Sequence, residues 1–143
     1  MFGKLLFSLQ ILAMIGCVIP LALRWPLPIP IILMGLTGVL SLWVVIYNRL
    51  GNWSVFPEPK EHSQLIMKGP YRFMRHPMYT AVILGGLSCV AHNQTLQSSV
   101  SLLFLIVILN IKARYEEKLL RFRFTEYSAY QSATPNRFIP KWF

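Results

Sequence analysis

Apolar positions along the chain gather into four runs separated by polar clusters. Runs 5–23 and 29–47 are each 19 residues long. Each is enough to cross a bilayer at about 1.5 Å per residue. Runs 78–91 and 96–111 are shorter, at 14 and 16 residues, and the second opens on Gln97, Ser98, Ser99 and Ser101. No Asp, Glu, Lys or Arg occurs within 5–23, 25–48 or 76–111. Helices apolar all round are solvated by lipid or buried on every side. The two short runs read as tilted spans capped by polar residues. The first run reads as an anchor rather than a signal peptide: it is long for an h-region, and Leu21-Ala22-Leu23-Arg24 is a poor cleavage site. Beyond position 111, Leu120, Phe124 and Tyr127 recur at i, i+4, i+7, with Arg121, Arg123 and Glu126 between them. That spacing predicts an interfacial amphipathic helix, ended by Pro135 and Pro140. The expected fold is therefore all-α. It is one polytopic membrane domain over 1–143, with four transmembrane helices near 5–23, 29–47, 77–92 and 96–112. A cytosolic segment, 113–143, carries the interfacial helix.

Composition agrees with the pattern. Of the 143 residues, 55 % are hydrophobic and 13 % charged, where a soluble domain carries about 25 % charge. Disorder, a disulfide-rich secreted module and an ordinary soluble enzyme are excluded. The net charge is +9, and all five acidic residues are Glu. In a chain this apolar, such a balance points to lipid headgroups on one membrane side and not to nucleic acid. With four spans, Lys4, the loop 49–75 and the tail 112–143 share one side. That side holds 13 basic residues, and the other holds only Arg24. The positive-inside rule places both termini and the long loop in the cytoplasm. The 51–69 loop is rich in turn formers, among them Pro57, Pro59 and Gly69-Pro70. Cys17 and Cys89 fall inside apolar runs and read as small buried hydrophobes; no metal site is expected. His62 and His92 carry no signal. Gly35, Gly38, Gly85 and Gly86 suit close helix packing within one chain or between chains, so the oligomeric state stays open.

Polar residues of chemical interest cluster twice. Gly69-Pro70-Tyr71-Arg72-Phe73-Met74-Arg75-His76-Pro77-Met78-Tyr79 precedes and enters the third run, and Lys112-Ala113-Arg114-Tyr115-Glu116-Glu117-Lys118 follows the fourth. A hairpin of the two runs brings both clusters to one membrane face. Pro77 suits the first turn of a helix, which leaves His76 at the cap with Arg75 before it. The free N–H groups there favour a carboxylate or phosphate. Tyr79, about one turn on, reaches the same place. Glu116 and Glu117 point about 100° apart on a helix, so one faces the bundle while the other faces water. Arg114, three residues before Glu117, shares its face and suits two-pronged recognition of an anion.

Read together, Gly69-Pro70-Tyr71-Arg72-x-x-Arg75-His76-Pro77-x-Tyr79 resembles the signature of the isoprenylcysteine carboxyl methyltransferase and phospholipid methyltransferase group. A second element resembles its C-terminal signature. It runs from Glu116-Glu117 through Leu119, Phe124, Glu126-Tyr127 and Tyr130 to Arg137-Phe138-Ile139-Pro140, with Phe124-Thr125 where a Phe-Gly pair is usual. The resemblance covers about 65–140. It implies a membrane enzyme that uses S-adenosyl-L-methionine in a cytosolic pocket and takes a lipophilic or lipid-modified acceptor from the bilayer. It further implies that Tyr71, Arg75, His76, Pro77, Tyr79 and Glu116 line the cofactor pocket. Arg114 and Glu117 are then the expected catalytic pair, Arg114 towards the acceptor and Glu117 fixing it. An NADPH-dependent membrane reductase of related helical design and a non-enzymatic membrane scaffold stand as alternatives. Prenylated cysteine, phospholipid amine, quinone-like lipid and small thiol stay open as acceptors.

Overall fold

The computed structural model describes residues 2–19, 28–48 and 64–139. Among them the structure is helical throughout: α1 Phe2–Val18, α2 Pro28–Tyr47, a short 3-10 turn Gly69–Arg72, α3 Pro77–Asn93, α4 Leu96–Arg123 and α5 Tyr127–Ala133. Arg24, the 20–23 end of the first run, most of the 51–69 loop with His62, and Pro140 lie outside the described residues.

Helix boundaries follow local chemistry. Pro77 occupies the first turn of α3, where its missing N–H costs no helical bond. Gln94, left-handed at φ 51°, ends α3 and bonds back to Val90 O. One residue later Thr95 caps α4 by accepting from Ser98 N at 3.2 Å. The tight link folds α3 and α4 into a hairpin. Gly86 lets Leu102 of α4 come close enough that a Cβ there would lie 2.7 Å from Leu102 Cδ1. α2 packs on α3, and α1 packs on α4. Cys17, Tyr79, Leu102, Leu105, Leu109 and Ala113 form the core between α1, α3 and α4. A polar strut crosses this core: buried Lys112 donates from Nζ to Gln10 Oε1 of α1 at 2.9 Å, over the rings of Phe7 and Tyr79.

Most apolar side chains point outward. On α2, Ile32, Leu42 and Ile46 are 60 %, 61 % and 69 % exposed. Such exposure in water would leave the hydrophobic effect unused, and lipid is the solvent that suits it. Two helices, α2 and α4, are long and apolar enough to cross a bilayer. α1 and α3 reach 17 residues each, the lower end of the usual span length of about 17–25.

The C-terminal segment departs from expectation. Instead of one amphipathic helix running to Pro135, α4 stops at Arg123 and Phe124 turns extended at φ −118°, ψ 112°. α5 starts afresh at Tyr127 and ends at Ala133. A continuous helix would leave Tyr127 and Tyr130 on its surface. The break turns both inward, to 1 % and 6 % exposure, and Tyr130 Oη donates to Tyr71 O at 2.6 Å.

Gly69 is the position where the approach to the site depends on a missing side chain. Its φ is +62°, and a Cβ there would meet the Tyr47 ring at 2.5–2.7 Å. Gly69→Ala is expected to lower stability by about 1–3 kcal/mol. Thermal unfolding in detergent, compared with Gly38→Ala in open space on α2, measures the difference.

Candidate active site

The hairpin brings the two polar clusters together around one carboxylate. Glu117 is 3 % exposed. Arg75 Nε donates to its Oε1 at 3.0 Å. Arg137 grips it from two sides, Nε to Oε1 at 3.0 Å and Nη2 to Oε2 at 2.9 Å. His76 Nε2 lies 3.2 Å from Oε1. Burial raises the Glu117 carboxyl pKa, but the hydrogen bonds from His76, Arg137 and Arg75 outweigh it and hold the group well below the usual carboxylate range. An ionised carboxylate only accepts, so the His76 proton facing it sits on Nε2.

Each cation is held in turn. Arg75 Nη1 donates to Thr134 O at 2.5 Å, and Arg137 Nη1 donates to Asn110 Oδ1 at 3.0 Å. The backbone is stitched as well: Arg75 N donates to Asn136 O at 3.0 Å, His76 N to Arg137 O at 2.9 Å, and Thr80 Oγ1 to Phe138 O at 2.6 Å. The 134–138 segment is thus strapped across the start of α3.

Glu116 faces the other way and is 30 % exposed at its side chain. Tyr79 Oη donates to its Oε2 at 2.8 Å, and His76 Nδ1 lies 3.6 Å from the same oxygen. The His76 and Tyr79 rings stack in parallel with centroids 5.2 Å apart. His76 therefore stands between the two carboxylates. Tyr71, in the 3-10 turn, is half-buried. Burial and then the nearby Glu116 carboxylate push its phenol up to about 12, so it stays a neutral donor.

Of the eight residues that sequence singled out, seven meet here: Tyr71, Arg75, His76, Pro77, Tyr79, Glu116 and Glu117. Arg114 is exposed and stands apart from the ionic cluster. With Glu117, Lys118, Arg121 and Arg137 it lines an open depression of about 270 Å³. Glu117 spends its hydrogen bonds on Arg75, His76 and Arg137. Arg137 is the functional residue that sequence reading passed over, although it opens the last part of the second signature. Asn110 and the Thr134 carbonyl gave no signal, since an amide inside an apolar run and a backbone oxygen look ordinary until folded. Tyr127 Oη is buried and has no hydrogen-bond partner among the described residues.

A helical membrane protein with a dense ionic cluster at one end of an α3–α4 hairpin is the class that fold and site define. The phospholipid methyltransferase family model matches residues 27–126. The chain belongs to that family. It is also 29 % identical over 107 residues to the nickel-cobalt-cadmium resistance protein NccN of Alcaligenes xylosoxydans xylosoxydans. Identity to the cobalt-zinc-cadmium resistance protein CzcN of Cupriavidus metallidurans is 27 % over the same length. Each match covers 73 % of this chain and 48 % of the relative. The chain spans about half the length of the curated relatives it matches.

Removing the Glu117 charge leaves Arg75 and Arg137 buried or half-buried without their anion. Glu117→Gln is expected to cost about 3 kcal/mol or more. The depressed pKa also sets a pH signature. Its stabilisation is complete above the ordinary value of 4.5 and is lost as pH falls below that towards the folded value. Thermal unfolding from about pH 7 down to about pH 3 should show an acid-dependent loss in the wild type. In Glu117→Gln that component should be missing.

Proposed function

We propose that the protein transfers a methyl group from S-adenosyl-L-methionine to a lipophilic acceptor at the membrane face that carries the Glu117 cluster. Four spans, with both termini and the site on the cytoplasmic side, complete the proposal. The observation that carries it is the closure of the two signature segments on each other. His76 and Tyr79 from one meet Glu116 and Glu117 from the other.

The donor set suits the cofactor. Glu116, half-exposed and already holding Tyr79, is an anion open to an ammonium group. Arg75 and Arg137 bring two positive charges against the single charge of Glu117, a surplus that suits a carboxylate. The buried Tyr127 hydroxyl with no protein partner is a further polar atom for a bound group. When bound, S-adenosyl-L-methionine supplies an electrophilic methyl on a sulfonium. The chain's own work is alignment and water exclusion, because an anionic acceptor needs no strong base. Glu117 holds Arg75, His76 and Arg137 in one geometry. Stacking on Tyr79 fixes the His76 ring, and the 134–138 strap closes over α3. Arg114, on the rim of the depression, faces an anionic acceptor, and Pro77 sets the start of α3 that presents His76 and Tyr79. The acceptor enters from the lipid that solvates the outer faces of α1, α2 and α4.

Calorimetry on the protein in nanodiscs tests the reading. S-adenosylmethionine and S-adenosylhomocysteine should bind and NADPH should not. Glu116→Ala should weaken both adenosyl ligands by roughly tenfold to a hundredfold, the loss of one charged hydrogen bond. Binding of NADPH alone would make the protein a reductase. Silence from all three ligands in a folded protein would leave a scaffold. In a methyl-transfer assay, Arg114→Ala at near wild-type rate would remove that residue from the acceptor side.

A further inference from the structure

One face of α4 carries an arrangement that neither the helix nor the ionic cluster accounts for. Phe104, Val107, Ile111, Arg114, Lys118 and Arg121 recur at alternating spacings of three and four. They therefore form one stripe along the helix. Every one of the six is exposed. The stripe is apolar as far as Ile111 and cationic from Arg114 on. Its apolar part includes Phe104 at 61 % and Val107 at 49 % exposure. Its cationic part coincides with the open depression of about 270 Å³, to which Arg137 adds a fourth basic side chain.

Like charges at i, i+4 destabilise a helix. Arg114 and Lys118 make such a pair, and Arg121 extends it by another turn. Glu117, the carboxylate lining the depression, does not offset them, since Arg75 and Arg137 already share its charge. Arg137 has committed its Nε and both terminal nitrogens to Glu117 and Asn110. Arg121 gives its Nε to Gln131, and its terminal nitrogens have no partner among the described residues. An anion in the depression would relieve this repulsion, and oxygens of a phosphate suit a fork of Arg and Lys donors. The apolar half decides the source of that phosphate. Phe104, Val107 and Ile111 lead straight up to the cations, over about 25 Å from Phe104 to Arg121. A ligand with a tail for the apolar half and a phosphate for the basic half fills the stripe.

We propose that this face of α4 is a binding site for one acidic phospholipid, its acyl chain along Phe104–Ile111 and its headgroup phosphate among Arg114, Lys118 and Arg121. The lipid is a resident of the fold and not the methyl acceptor; Arg114 borders both this site and the acceptor side proposed above, and lipid retention is read without turnover.

The test counts lipid retained by the intact protein. The protein is placed in nanodiscs of phosphatidylcholine with a minority of phosphatidylglycerol, and retained lipid is read by native mass spectrometry. The wild type should retain one phosphatidylglycerol in preference to phosphatidylcholine. Lys118→Gln with Arg121→Gln, which leaves Arg114 in place, should lower that retention about thirtyfold, the effect of two cations near an anionic headgroup. Arg114→Gln with Lys118→Gln should do the same with the Arg121 to Gln131 contact intact. Lys68→Gln with Arg72→Gln removes equal charge outside the depression and should change retention by less than about threefold. Equal retention of both lipids by the wild type would overturn the site. So would an undiminished preference in both depression variants, or an equal drop in the Lys68 and Arg72 variant. Displacement of the lipid by millimolar inorganic phosphate would place a free anion in the depression and overturn the lipid assignment.

Discussion

Glu117 is the point on which this structure turns, because an ionised carboxylate taken out of water has to be surrounded by donors. Desolvation of such a group costs several kcal/mol unless cations and hydrogen bonds replace the lost water. Here the replacements arrive from two stretches of chain. Arg75 and His76 come from the start of α3, and Arg137 comes from beyond α5. Neither stretch can move without leaving a buried charge exposed to apolar surroundings. The carboxylate therefore sets the register of α3 against α4 at this end of the hairpin, and it holds the 134–138 strap in place. Its neighbour Glu116 is free of that duty and stays half-open, which separates a structural carboxylate from one available to a ligand.

The same constraint accounts for the break between α4 and α5. The helix that carries Glu117 runs on for six residues beyond it, to Arg123. Arg137 follows Glu117 by 20 residues and has to return to it. A helix continued to Pro135 would carry Arg137 about 30 Å along its axis from Glu117. Phe124 breaks the helix, α5 doubles back, and burial of Tyr127 and Tyr130 with the Tyr130–Tyr71 hydrogen bond stabilises the return. The family match ends at residue 126, so Thr134, Arg137 and Phe138 complete the cluster from outside the matched segment.

Lipid-facing and site-forming surfaces are divided along α4 by composition. Its first sixteen residues carry no charge and expose Leu103, Phe104 and Val107, while its last twelve carry seven charged side chains. One helix thus runs from hydrocarbon into the headgroup layer and delivers both glutamates at that boundary. A carboxylate there costs less than one at the bilayer centre, and donors from the 134–138 segment reach it.

Sequence alone determined α1 to α4, because uncharged runs of this length have few other uses, and it placed the two clusters at one end of a hairpin through their spacing; the break before α5 it did not show. Runs 77–92 and 96–112 became α3 and α4 within one residue at their starts, with α4 longer at its end. The proline at the first turn of α3, the capping Thr95 and the opposite facing of Glu116 and Glu117 all follow from local rules that depend on neighbours in the chain. Tertiary structure decided which carboxylate is buried, since adjacent residues on a helix are equivalent until a second helix covers one of them. It also decided that Arg137 and not Arg114 grips Glu117. The i, i+3 spacing permits the Arg114 pair, but burial favours the arginine that arrives with a folded strap and excludes water. Long-range electrostatics of that kind is written in three dimensions, where the nearest cation in space need not be the nearest in sequence.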